Sequence, residues 1–233
     1  MITISCAVMH TVCRKDRRES LERMIQELGE NNIISYWQDF QIFGDMFQKG
    51  SWWNAKRCME WGAALKTSHH LILQDDCKFS EDFVAGLKTL IAVWPNEIIC
   101  LFFGPRKGFK EGGRWGEAEG PWGQAIIYPQ SLLKEFLIWE KNNIKPEFKH
   151  DDSRVALFCA STGRTVKVPF PNVVDHMDEM QSTMNHRGFV PRVSDNFLKE
   201  SIYSIDWNDV SNIRQSINSV SNDKKWLIDE NIS

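Results

Sequence analysis

The sequence predicts an α/β domain with a mostly parallel central sheet flanked by helices, and three observations carry this. Short apolar runs such as 98–103 read as strands buried on both faces. Stretches with apolar residues at helical spacing lie between them. The two kinds alternate as strand, helix, strand, loop, helix, strand, helix, strand, the order of a sheet with crossover helices. At 233 residues the chain suffices for one such core. We divide it into a domain of residues 1–180 and an irregular or helical extension, 181–233, packed on the same domain.

Residues 2–9 make the first strand, with no basic leader before it and charge rather than a cleavage site after it. A polar, basic loop over 10–18 precedes a helix built on Leu21, Met24, Ile25 and Leu28. A second strand, 33–37, is expected to deliver Asp39 to the C-terminal edge of the sheet, where an acid can take a ribose hydroxyl; a solvated turn accounts for Asp39 equally well. Residues 40–53, aromatic but without a clean period, read as a loop beside the site. A helix over 54–67 presents small apolar residues to the sheet. Its Arg57 can reach a phosphate or simply be solvated.

The central feature is 69–77, an apolar strand delivering Gln74, Asp75 and Asp76 to its C-terminal end. In open α/β sheets ligands bind beyond that edge. Two adjacent carboxylates repel, and a cation or phosphate-bound metal would relieve the repulsion; a solvated turn is the alternative. A helix with Ser80, Glu81 and Asp82 at its start, the strand 98–103, and a Gly-rich stretch 104–123 follow. That stretch holds Phe109, Trp115 and Trp122 among Arg106, Lys107, Lys110 and Arg114, a composition suited to a lid or loop meeting an anionic, ring-bearing partner. Then come a strand at 124–128, a helix from 130 to about 141, a second acidic pair, Asp151 and Asp152, heading another helix, a short strand at 164–168, and His176. Acids at a helix N-terminus are favourable in themselves.

Composition excludes several classes. With a net charge of −3 there is no global argument for a nucleic-acid or membrane surface. The six cysteines, Cys6, Cys13, Cys58, Cys77, Cys100 and Cys159, show no CxxC spacing, which disfavours zinc or iron–sulfur sites and reads as thiols of a reducing, cytoplasmic compartment. No run approaches the roughly 20 apolar residues that span a bilayer. No GxxxxGK[ST], no GxGxxG after the first strand and no GxSxG occurs.

In order, the apolar strand, acidic pair, helix, strand, Gly- and Trp-rich loop, small-residue strand, second acidic pair and late His resemble those of small nucleotide-sugar-dependent glycosyltransferases of the GT-A fold, especially compact phage and bacterial members. The resemblance implies a GT-A-like, Rossmann-related sheet, a nucleotide-sugar donor such as a UDP-sugar, and a divalent metal, Mn²⁺ or Mg²⁺. Gln74-Asp75-Asp76 lies where such enzymes carry their DxD-type motif, with Gln74 replacing the first acid. It implies Asp76, Asp75 and His176 as metal ligands, with Asp75 also able to accept a hydroxyl. His10, Thr11, Arg14 and Asp39 are implied around base and ribose, with Arg57 and Trp115 as further donor contacts. Asp152, with Asp151 close behind, is implied as the general base of an inverting transfer. Basic patches at 14–18 and 106–114, with Arg187 and Arg192, can follow a phosphate backbone, and the resemblance to small phage members implies a hydroxymethylated pyrimidine in phage DNA as acceptor, flipped from the stack. A glycan, lipid or protein hydroxyl is the alternative acceptor. An inactive nucleotide- or carbohydrate-binding module and a nucleotidyltransferase are the alternative functions.

Overall fold

The computed structural model describes residues 1–30, 37–45, 49–104, 109, 112–177, 193–194, 196–216 and 226–228. It is an α/β fold with a largely parallel central sheet flanked by helices, consistent with the expected GT-A-like, Rossmann-related architecture. Strand β1 (Ile4–His10) leads to α1 (Lys15–Glu30), β2 (Trp37–Gly44), α2 (Ser51–Ala64), β3 (His69–Gln74) and β4 (Cys77–Phe79). Then follow α3 (Phe83–Val93), β5 (Ile99–Cys100), β6 (Trp115–Ala118), β7 (Ala125–Pro129), α4 (Gln130–Asn143), α5 (Asp151–Thr162), β8 (Val166–Pro169), β9 (Val174–His176) and β10 (Arg214–Gln215). Among the described residues the main sheet runs β10-β6-β8-β5-β7-β3-β1-β2. Strands β2, β1 and β3 are mutually parallel, and β7 lies antiparallel between β3 and β5. A small antiparallel pair, β4 and β9, stands beside the main sheet.

The alternating side chains of the central strands explain why those strands read as nearly continuous apolar runs. Cys6, Val8, Leu71 and Leu73 pack with Met24, Leu28, Leu87 and Leu90 of α1 and α3. Ala7, Met9 and Ile72 pack with Ala55, Met59, Phe136 and Phe158 of α2, α4 and α5. Both faces of the sheet are therefore buried, as a parallel sheet requires. Close approach of α2 depends on Gly62, where a Cβ would lie 2.4 Å from the His70 ring.

Several expected boundaries move. The polar loop over 10–18 is shorter, because α1 begins at Lys15. Residues 37–44 of the expected second turn and aromatic loop are strand β2, and Trp52 and Trp53 belong to α2. The Gly-rich stretch is not one long lid: it contains β6, paired antiparallel with β8. Ser80 does not cap α3; its hydroxyl donates to the carbonyls of Val173 and Leu198 at 3.0 and 2.8 Å. Described parts of the extension pack on the domain, Leu198, Ile202 and Trp207 in the main core and Leu227 against Ile144, Phe148 and Leu157.

Candidate active site

The site forms where β1 and β3 end side by side. Their register pairs Met9 with Gln74, so the turn after β1 and the Asp75–Asp76 step lie together. Both carboxylates are buried. Asp75 accepts hydrogen bonds from the Thr11 backbone N–H at 2.9 Å and from Arg17 Nη1 at 2.7 Å, and its Oδ2 lies 2.7 Å from His10 Nδ1. Each of its oxygens is thus engaged. Ser20, one turn beyond Arg17 on α1, donates to the Asp75 carbonyl at 2.5 Å.

Asp76 is held differently. Its Oδ2 lies 2.5 Å from Arg17 Nη1 and 2.8 Å from His176 Nε2. Among the described residues none donates to Oδ1, although that atom is buried. His176 arrives here because β9 pairs with β4 in a register that sets it opposite Cys77, the residue after Asp76. The Met177 N–H also donates to the Asp76 carbonyl at 3.0 Å. His176 Nδ1 lies 2.9 Å from the Met177 carbonyl, an acceptor only, so Nδ1 carries a proton there and the ring is oriented with Nε2 toward Asp76. Burial alone would raise the Asp76 carboxyl, but His176 and Arg17 hold it well below the usual carboxylate range. For Arg17, burial opposes the charge, while Asp76 and Asp75 more than offset it and raise its pKa.

The donor set fits a divalent cation at one point. A buried carboxylate oxygen without a donor, beside an imidazole whose other nitrogen is fixed to a backbone carbonyl, is the ligand chemistry that hard cations use. Asp76 and His176 supply it; both oxygens of Asp75 already accept hydrogen bonds. Among the described residues no group of three or more His, Cys, Asp and Glu has metal-holding geometry.

The second acidic pair approaches the same edge from the other side of β3. A Cβ placed on the buried Gly123 would lie 3.0 Å from Gln74 Nε2 and 3.1 Å from Asp151 Oδ2, so these groups converge on one small space. Asp151 is buried at the start of α5, and its pKa is pushed up to about 7, first by burial and then by the charge of Asp152; the Ser51 hydroxyl works in the opposite direction. Asp152 is half-buried, and its Oδ1 accepts from the Ser153 N–H at 2.8 Å.

The remaining expected contacts divide. His10 and Thr11 are at the site, but they hold Asp75. Arg14 is tied to Asp16, with Nε–Oδ1 at 3.0 Å. Arg57 donates to the Gly44 carbonyl at 3.2 Å, and its guanidinium lies over Trp53 at 4.5 Å, beside the end of β2. Two expectations are corrected. Asp39 pairs with Ser5 near the start of β1, at the opposite edge of the sheet from His10, because β2 runs on from Trp37 to Gly44 instead of ending at Trp37; residues 33–36 of the expected strand lie outside the described residues. Trp115 is fully buried, donates from Nε1 to the Trp207 carbonyl at 2.8 Å and meets the rings of Trp94 and Trp207 edge-on, so it cannot stack on a base. Arg106, Lys107, Lys110, Arg187 and Arg192 lie outside the described residues.

Arg17 and Asp45 went unrecognised as site residues. Arg17, Ser20, Leu21, Met24 and Leu28 are all buried, one helical face that extends back through a charged residue. The spacing was present, but the charge disguised it. Asp45 is the acid that does follow β2; its carboxylate accepts from the Lys49 and Gly50 N–H groups, both at 3.1 Å, ahead of α2.

No protein-family model matches the chain, and no curated protein matches it in sequence. Among solved structures it is similar to S. aureus TarS 1–349, with 10% identity and a TM-score of 0.48 over 72% of this chain and 58% of that one. It is similar to mannose-1-phosphate geranyltransferase from Thermus thermophilus, with 13% identity and a TM-score of 0.43 over 72% and 74%. A third is a glycosyltransferase involved in the glycosylation of the major capsid of PBCV-1, with 14% identity and a TM-score of 0.36 over 62% and 69%. The chain thus spans 58% of the length of TarS 1–349. The fold assignment rests on this chain's own strand order and register.

Proposed function

We propose that this chain is a nucleotide-sugar-dependent glycosyltransferase that moves a sugar from a UDP-sugar to an acceptor hydroxyl. One observation carries the reading. Asp75–Asp76 and His176, far apart in sequence, meet at the C-terminal end of β3, and Asp151, across the space at Gly123 from Gln74, is a buried carboxyl whose pKa is pushed up to about 7. A base suits proton transfer best when its pKa lies near the working pH. Asp151 is therefore our general base: it takes the acceptor hydroxyl proton as the oxygen attacks the anomeric carbon with inversion. Asp152 raises the pKa of Asp151 by its charge. Gln74 and Gly123 border the space beside Asp151, Gln74 offering a neutral amide to sugar hydroxyls.

The nucleotide would lie over the turn after β1, whose Thr11 N–H and His10 are locked by Asp75. Asp76 and His176 would hold a divalent ion, Mn²⁺ or Mg²⁺, which supplies charge stabilisation for the diphosphate leaving group when bound. For the acceptor we propose a hydroxyl, with a hydroxymethylated pyrimidine in DNA as the first to be tried. Of the described basic residues at 14–18, Arg17 is spent inside the site, Arg14 on Asp16 and Lys15 beside Glu19, so support for DNA rests on the exposed Arg18 and, in the second patch, Arg114.

The test is thermal stabilisation by UDP-, GDP- and CMP-sugars with and without Mn²⁺, followed by turnover of the sugar that shifts the melting point. A shift with one nucleotide class and release of the free nucleoside diphosphate support the reading. Transfer of the nucleotide instead of the sugar would identify a nucleotidyltransferase. Binding without turnover by any acceptor class would identify an inactive module.

A further inference from the structure

Two adjacent buried carboxylates need a counter-charge, and the fold already contains one. Arg17 is buried at 4% exposure, with a single nitrogen, Nη1, 2.7 Å from Asp75 Oδ1 and 2.5 Å from Asp76 Oδ2. It enters from α1, and Ser20 on the same face ties that helix to the Asp75 backbone. Asp75, Asp76 and Arg17 together leave one negative charge, before His10 and His176 are considered. Both oxygens of Asp75 already accept hydrogen bonds. A divalent ion arriving alone would find one carboxylate oxygen without a donor among the described residues, Asp76 Oδ1, and the imidazole of His176, with a fixed guanidinium on the other oxygen of the same carboxylate. Two donors beside a cation make a weak site for a hard ion, which strongly prefers more oxygens.

Resting on the glycosyltransferase reading, we propose that Arg17 is the resident counter-cation of the acidic pair and makes divalent-metal binding depend on the nucleotide diphosphate. The phosphate oxygens complete the coordination that Asp76 and His176 begin, and their negative charge offsets the repulsion from Arg17. Arg17 is thus a positioning residue that touches neither sugar nor acceptor. Metal and donor enter together, and the protein without nucleotide stays folded with its carboxylates paired.

The experiment is titration of MnCl₂ into the full chain, followed by electron paramagnetic resonance of free Mn²⁺ and by calorimetry, alone and with UDP, GDP or CDP. The expected result is millimolar binding of Mn²⁺ alone, on the order of tenfold or more tighter when the matching nucleotide is present. The variant Arg17→Met, checked for folding by circular dichroism, should bind Mn²⁺ alone about tenfold more tightly, while Arg17→Lys should behave as the parent. Micromolar binding of Mn²⁺ to the parent without nucleotide overturns the proposal whether or not the variants fold. So does a folded Arg17→Met with unchanged Mn²⁺ affinity. If no nucleotide binds under any condition while Arg17→Met still tightens Mn²⁺, the glycosyltransferase reading fails and the place of Arg17 as counter-cation is supported.

Discussion

Asp151 and Asp152 are neighbours in sequence, yet only Asp151 is buried beside Gly123 and Gln74. That difference yields two predictions. Asp151→Asn should lower kcat by about 10²-fold or more with donor affinity retained, whereas Asp152→Asn should keep more activity and move the pH profile to lower pH, since it removes a charge that raises Asp151. Steady-state kinetics across pH 5–9 checks this. Stability gives an independent reading. A carboxyl whose pKa is raised on folding keeps a proton that the unfolded chain has released, so stability falls as pH climbs from its ordinary 3.8 to about 7. Asp151→Asn removes that fall and should be more stable than the parent at pH 8 by about 2 kcal/mol, with the advantage gone at pH 4. Melting curves at both values measure it. At Trp115 the argument runs the other way. Trp115→Phe loses the hydrogen bond to the Trp207 carbonyl and should cost about 1–2 kcal/mol, while the donor KM stays unchanged. A raised KM in a fully stable variant would return Trp115 to the donor site.

At the scale of elements, the site is a meeting of ends. β1, β3, the β4–β9 pair and the N-terminus of α5 converge because β3 runs parallel to β1 and β9 folds back on β4. Gly123, just before β7, keeps the space between Gln74 and Asp151 open. Gly123→Ala meets only the ends of two side chains, so the fold should tolerate it within about 1 kcal/mol. The added methyl should still displace the reacting groups and cut kcat by about tenfold or more. Loss of stability without loss of activity would show that Gly123 serves packing alone. The element boundaries also explain Asp39. Read as the end of a strand it faced the ligand edge; in a strand that runs to Gly44 it belongs to the opposite edge, and Asp45 takes the position at the mouth. A shift of seven residues in a strand's end exchanges which acid reaches the site, and local composition contains no signal strong enough to prevent it.

Over the whole molecule, the chain's last described segment braces the loop that leads into Asp151. Trp226 stacks on Phe148 with ring centroids 5.0 Å apart, the Lys145 N–H donates to the Trp226 carbonyl at 3.0 Å, and Leu227 is buried against Ile144, Phe148 and Leu157. Arg154, wholly buried, holds the same loop through the Phe148 carbonyl, 2.9 Å from its Nε, and pairs with Glu140. Leu227→Ala should therefore cost about 2–4 kcal/mol and lower kcat more than it raises the donor KM, because the loosened loop leads directly into Asp151. Calorimetry and a kcat against KM comparison separate the two effects. Equal losses in both kinetic constants would place the segment at the donor instead.

The alternation of apolar runs and helical stripes determined the layered sheet by itself, because period and length are local properties that burial on two faces imposes. It also placed Asp75 and Asp76 at a strand end, and the order of motifs placed His176 with them. Tertiary structure alone decided what those groups do to one another. Pairing of β9 with β4 brought His176 to Asp76, and burial of α1 turned Arg17 from an expected surface cation into the partner of both acids. Packing of β6 and the extension took Trp115 into the core. Register and charge pairing between distant segments depend on what lies across the sheet, and a stretch of sequence read alone contains only one side of each contact.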